Sequence, residues 1–302
     1  MKTTCTLVRR HPPFLNLSLW AVVAMPLCAF TLTVEAAIAP RGSATTGTTT
    51  GTSLTIAKPT EVVAGDVMIV NIAQVGNNSI APTISGWTLI AGTNLGSITA
   101  RYGAVLYRVA SASEGNNYTF TLGSGVTEAV GDVVAFSGVD TSGATPFDVP
   151  PATIYASGNR SISVPANPIT TASASAAVIM FGMASYTGLT WSDWRTTSPG
   201  ALTELYDHQS ASASVGAAWA TMPTPGFTDL GAATLSASAY HGAILIALRP
   251  AGSWVPDFIG TATNISSGTT ITVAVPAGGV AVNRTVIVSI AMDPSISVPP
   301  LQ

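Results

Sequence analysis

The sequence predicts an all-β protein: an antiparallel β-sandwich, jelly-roll or Ig-like, followed by an incomplete second β module. Three observations lead there. Short apolar runs rich in Val, Ile and Thr recur along the chain, separated at short intervals by Gly, Pro, Asn and Asp. No internal segment repeats its apolar residues every 3.6 positions between helix caps. Only 8% of the 302 residues are charged while 47% are hydrophobic, so Lys and Glu, which favour helices, are scarce. Without crossover helices, antiparallel pairing is the default.

The N-terminus is a separate element. Lys2, Arg9 and Arg10 precede an apolar stretch from Phe14 to Val34, and Val34 and Ala36 fit the two small positions of a signal-peptidase site. A secretory signal peptide is expected over 1–36, with an uncleaved anchor as the alternative, and the location expected is secreted or cell-surface. Both cysteines, Cys5 and Cys28, fall in this segment. The remainder would have no disulfide and would depend on a large core. Beyond residue 36 no stretch reaches the ~18 apolar residues of a membrane span. After cleavage eight basic residues face thirteen acidic ones, with no basic cluster. That balance disfavours nucleic-acid partners.

Residues 37–50, "AIAPRGSATTGTTT", read as a mobile small-polar lead-in. From 51 to 250 the pattern fits one β-sandwich domain of about ten strands. Leu54 and Ile56 alternate with Ser53 and Thr55, Pro59 stops that strand, and Gly65-Asp66 turns the chain into "VMIVNIA". "GWTLIAG", "ARYGAVLYRVA", "NYTFTLG", "GDVVAFSGV", "SISVP", "AAVIMFGMASY", "ALTELYDH", "SASVGAAWATM" and "HGAILIALRP" follow as strand candidates. Several are apolar at consecutive positions. Such strands meet protein on both faces or await a partner. Residues 251–267 read as a linker. Residues 268–302 repeat the plan of 51–73, strand, proline, turn, aliphatic strand, as a partial second module. Two strands alone are marginal in water. That tail is expected either to be a truncated fragment or to pair with an exposed sheet edge.

The segments "SLTIAKPTEVVAGDVMI", "SGWTLI", "AVLYRVASASEGNNYTFTLG", "AFSGVD" and "GAILIALRP" resemble the repeated β-sandwich modules of large exported bacterial surface proteins, with some likeness to phage appendage modules. The resemblance covers about 50–250 and implies a structural or adhesive role. It carries over no catalytic residues.

The densest chemical stretch is Tyr186 to Ser210. Tyr186, Trp191, Trp194, Tyr206 and His208 form a candidate carbohydrate site, because flat aromatic faces can cover a pyranose, and 187–200 reads as a long loop. The competing reading plugs one end of the sandwich with Trp191 and Trp194. For a glycoside hydrolase the paired carboxylates would be Glu128 with Asp132, or Glu204 with Asp207; Asp132 reads better as a turn residue after Gly131. Asp207-His208 has no repeated metal-ligand spacing around it, and "DTSGATPFD" (140–148) reads as a plain polar turn. His241 is expected at a strand end. No catalytic residue, cofactor or metal is assigned. The reading is a structural or adhesive surface module whose partners are other copies or a surface glycan, with a carbohydrate-binding module second and an exported hydrolase third.

Overall fold

The structure is a computed structural model and describes residues 37–76, 80–96 and 100–252. It is all-β, with antiparallel sheets packed against each other. Fifteen strands are found among the described residues. The first half contributes β1 (Ala39–Pro40), β2 (Thr45–Thr49), β3 (Ser53–Ala57), β4 (Val67–Gly76), β5 (Thr88–Asn94), β6 (Arg101–Val109), β7 (Asn117–Thr121) and β8 (Val126–Ser137). The second half contributes β9 (Tyr155–Ala156), β10 (Ser161–Ala166), β11 (Ala176–Ser185), β12 (Trp191–Arg195), β13 (Thr203–Gln209), β14 (Ser214–Met222) and β15 (Gly231–Leu248).

The two halves repeat one topology. In the first, β8, β4, β6 and β5 lie side by side; in the second, β15, β11, β14 and β13 do. β3 pairs with β7 outside the first sheet. β10 pairs with the beginning of β15, residues 231–239, outside the second. The rest of β15, 240–248, pairs with β11, so this long strand passes from the outer layer to the inner one. β7 and β8 make the same passage in the first half with a turn between them. β5 and β13 also match, each bulged against its neighbour, at Leu89/Ala91 and at Glu204/Tyr206.

Side-chain periodicity explains the layers. The outer strands β3 and β7 alternate exposed and buried, with Leu54, Ile56, Tyr118 and Phe120 turned inward. The inner strands are covered on both faces. On β4, Val67, Ile69 and Ala73 face the seam between the two inner sheets, while Met68, Val70 and Ile72 face β3 and β7. On β11, Ile179, Phe181 and Met183 face the seam, while Val178 and Met180 face the outer layer of the second half. β11 therefore reads as a continuous apolar run, and β4 as one interrupted by Asn71. Gly131 sits where β3 presses on β8: an added Cβ would lie 2.9 Å from Ile72 and 3.1 Å from both Leu54 and Ile56.

Three expectations are corrected. The stretch 37–50 is not a loose lead-in: Pro40 pairs with Phe136, and β2 runs antiparallel to β8 from Thr45↔Val133 to Thr49↔Ala129. Residues 187–200 are not one long loop, because Trp191–Arg195 forms β12 against β15. His241 is not at a strand end; it lies fully buried within β15, where the strand changes layers. The linker beyond 252 and the partial module at 268–302 lie outside the described residues, as does 1–36. Among the described residues no helix is long and apolar enough to cross a membrane.

Candidate functional site

Inside its margins, where Glu128 meets Ser212 and Arg101 meets Ser185, the seam between the inner sheets carries one fully buried polar group. Thr46, Asp132 and Asn71 stand in register across β2, β8 and β4. Alternation along β4 and β8 aims Asn71 and Asp132 into the seam beside Ile69 and Val134. Both are fully buried, while Thr46 is exposed at the sheet margin. The row leads from solvent into the core.

The second half meets this row with β13, β11 and β14. His208 Nδ1 lies 2.7 Å from Asp132 Oδ1 and 2.7 Å from Thr46 Oγ1, and Thr46 donates to the same carboxylate oxygen at 2.7 Å. Asn71 Nδ2 donates to the carbonyls of Gly182 at 2.8 Å and Gly216 at 3.3 Å. These two glycines face each other across β11 and β14. Tyr206 is buried beside Asn71, its hydroxyl lacking a hydrogen bond of standard geometry, as do Asn71 Oδ1 and Asp132 Oδ2. Burial pushes the Asp132 carboxyl up to about 6, against the lowering effect of Thr46 and His208. Burial, reinforced by the Asp132 charge, pushes the Tyr206 phenol far up.

His, Asp and Thr are the residue types of a hydrolytic relay, but their arrangement here is a different one. In a relay the carboxylate holds one ring nitrogen and the nucleophile hydroxyl meets the other. Here Thr46 and Asp132 share Nδ1, so the imidazole cannot draw the hydroxyl proton while the carboxylate holds it. The grouping joins the two halves.

The five sequence-predicted residues separate into three places. Tyr206 and His208 come together, with parallel rings 6.1 Å apart, on a cleft of about 530 Å³ whose lining also includes Pro40, Ala44, Glu204 and Trp219. Trp191 and Trp194 stack on each other at 5.2 Å inside the second half. They are 4% and 5% exposed, so no free ring face remains for a sugar, and both belong to the core of the second half. The indole of Trp191 donates to Ser214 Oγ at 2.8 Å and that of Trp194 to Glu204 Oε2 at 3.0 Å. Their rings fill notches left by glycine: a Cβ on Gly182 would lie 2.5 Å from Trp191, and one on Gly216 2.8 Å from Trp194. Tyr186 is exposed and packs with Arg160.

The carboxylate pairs are similarly engaged. Asp132 is mid-strand and buried, which corrects its reading as a turn residue. Glu128 lies four residues along the same strand face, about 13 Å by strand geometry, and both its oxygens take hydrogen bonds from Ser212. A glycosidase pair stands closer, within about 9.5 Å. Asp207 accepts from the Trp191 amide at 2.8 Å. As His208's strand neighbour it points to the other sheet face, so the two form no joint metal site. In the loop 140–148, Asp140 takes Ser142 and Arg249, and Asp148 takes the amides of Ala172 and Ser173. Among the described residues no group of three or more His, Cys, Asp or Glu is placed to hold a metal ion.

Sequence reasoning missed Asn71, Asp132 and Thr46 as a group. A signal existed for Asn71, an amide inside the otherwise aliphatic "VMIVNIA". Comparison of the chain with protein-family models, curated proteins and solved structures finds no match.

Proposed function

We propose that the chain is an exported structural or adhesive surface module that works by rigid presentation. The observation supporting this reading is the doubled sandwich, whose two halves share one buried seam and are tied across it by Asn71 and by Asp132–His208. A seam of that kind resists independent motion of the halves, because each would have to expose apolar strand faces and strip hydrogen bonds from buried polar groups. The open edges β5 and β13 carry bulges, a feature that hinders edge-to-edge strand addition. Presentation of loops therefore fits these edges better than lateral pairing.

The test is expression of the full chain with its own N-terminal segment, followed by cell fractionation and calorimetry. The reading expects exported protein, processed after Ala36, that melts in one transition. Retention in the cytoplasm, or separate melting of two halves, would reject it.

A further inference from the structure

At one margin of the molecule, arginine and tyrosine side chains from both halves interleave. Arg160 Cζ lies 5.3 Å from the ring centres of both Tyr186 and Tyr240, and Arg101 Cζ lies 5.1 Å from Tyr240. Tyr240 is seated against Gly96, where an added Cβ would lie 2.3 Å from the ring. Arg101 donates to Ser185 Oγ at 2.6 Å, and Ser185 pairs with Tyr240 across β11 and β15. Tyrosine rings, and for Arg101 the Ser185 hydroxyl as well, thus hold the two guanidinium groups in place beforehand.

Neither guanidinium has a carboxylate partner among the described residues. Arg41, Arg108 and Arg249 do, at 3.1, 2.9 and 2.9 Å. The surrounding sequence explains the contrast. No Asp or Glu occurs from 67 to 113, around Arg101; from 149 to 192, around Arg160 and Tyr186; or from 230 to 256, around Tyr240. Three acid-free stretches converge on two stacked cations in a chain whose acidic residues outnumber its basic ones. Arg160 is exposed, and Tyr186 is 41% exposed. A guanidinium stacked on a ring keeps its N–H edge free for a planar anion.

We infer that Arg160, Arg101, Tyr186 and Tyr240 form a binding site for a carboxylate-bearing polysaccharide. A uronate carboxylate meets the guanidinium edge, and the exposed Tyr186 ring covers the adjoining sugar face. The inference deepens the adhesive part of the proposed function and rests on it. Because the protein's net charge is negative, attraction depends on these local cations and weakens as salt screens it.

The test is calorimetric titration of the full chain with a mannuronate hexasaccharide, its neutral counterpart mannohexaose, and inorganic sulfate. The acidic sugar is expected to bind, more weakly at higher salt, and to bind better than either control. Arg160→Gln and Tyr186→Ala should each lower that affinity about ten-fold, the scale of one lost charge-assisted or stacking contact. Arg160→Lys should recover only part of the loss, since it restores charge without the planar fork. Unchanged circular dichroism and melting temperature would show that these surface variants fold. No binding, equal binding of the neutral sugar, sulfate binding as tight as the sugar, or an unaffected Arg160→Gln would each overturn the site. Those outcomes leave export and single-transition melting as they were, so failure of the site and failure of the presenting module are told apart.

Discussion

Asn71 and Asp132 face each other across β4 and β8, side by side and fully buried among the aliphatic and aromatic side chains of the seam. Each reaches to the second half, Asn71 to two backbone carbonyls and Asp132 to His208. Apolar packing alone permits the two sheets to slide by small steps. Directed hydrogen bonds from two adjacent positions set one register.

Removing the amide should therefore cost more than its volume. Asn71→Ala leaves a cavity and strips the shared donor from Gly182 and Gly216. A loss of about 2–3 kcal/mol in urea unfolding is expected. A loss under about 0.5 kcal/mol, the scale of an ordinary surface change, would show that the amide does not tie the sheets.

Asp132 predicts a pH dependence. Its folded-state carboxyl is raised to about 6, so the folded protein holds this proton more tightly than the unfolded chain. Its stabilising contribution is full below about pH 4 and is lost as pH rises through about 6. Asp132→Asn lacks that dependence. Between pH 4 and pH 7 the variant should gain on the native protein by about 2 kcal/mol, read from urea midpoints at each pH. A constant difference across that range would contradict the assignment.

His241 predicts the opposite sign. Burial lowers its pKa, against a smaller raising effect of the Ser163 backbone. The unfolded chain takes up this proton first. Stability from this group is present above about pH 6.5 and falls below it, with a slope approaching 1.4 kcal/mol per pH unit. His241→Leu should flatten that slope and leave stability at pH 8 comparatively little changed. If both proteins lose stability in parallel between pH 7 and pH 5, the histidine is not the cause.

The tryptophan notches predict intolerance of one methyl group. Gly182→Ala places Cβ 2.5 Å from the Trp191 ring, which is itself stacked on Trp194 and tied to Ser214. A cost of about 1–3 kcal/mol is expected, with a change in tryptophan emission as the ring shifts. Native stability with an unaltered spectrum would show that the pocket yields freely.

Much of the architecture was legible. "SLTIA" and "NYTFT" alternate because one face meets water, and "VMIVNIA" and "AAVIMFGMAS" do not because neither face does. The doubling within 38–250 was harder to see. "SISVPANP" before "AAVIMFGMAS" repeats "SLTIAKP" before "VMIVNIA", but the second copy fuses its last two strands into one.

The candidate sites were legible only in part. Gly131-Asp132 has the composition of a turn, and only the sheet on the other side of the seam makes it a strand interior facing His208. Trp191 and Trp194 had the composition of a sugar platform, and glycines on two other strands turn them inward. From the sequence alone came the all-β class, the alternating or continuous apolar character of each strand and the scarcity of charge, since these depend on periodicity and composition along one chain. Which polar groups meet was decided by tertiary structure, because Thr46, Asp132 and His208, or Arg101, Arg160 and Tyr240, lie far apart along the chain and come together only when both sheets have formed.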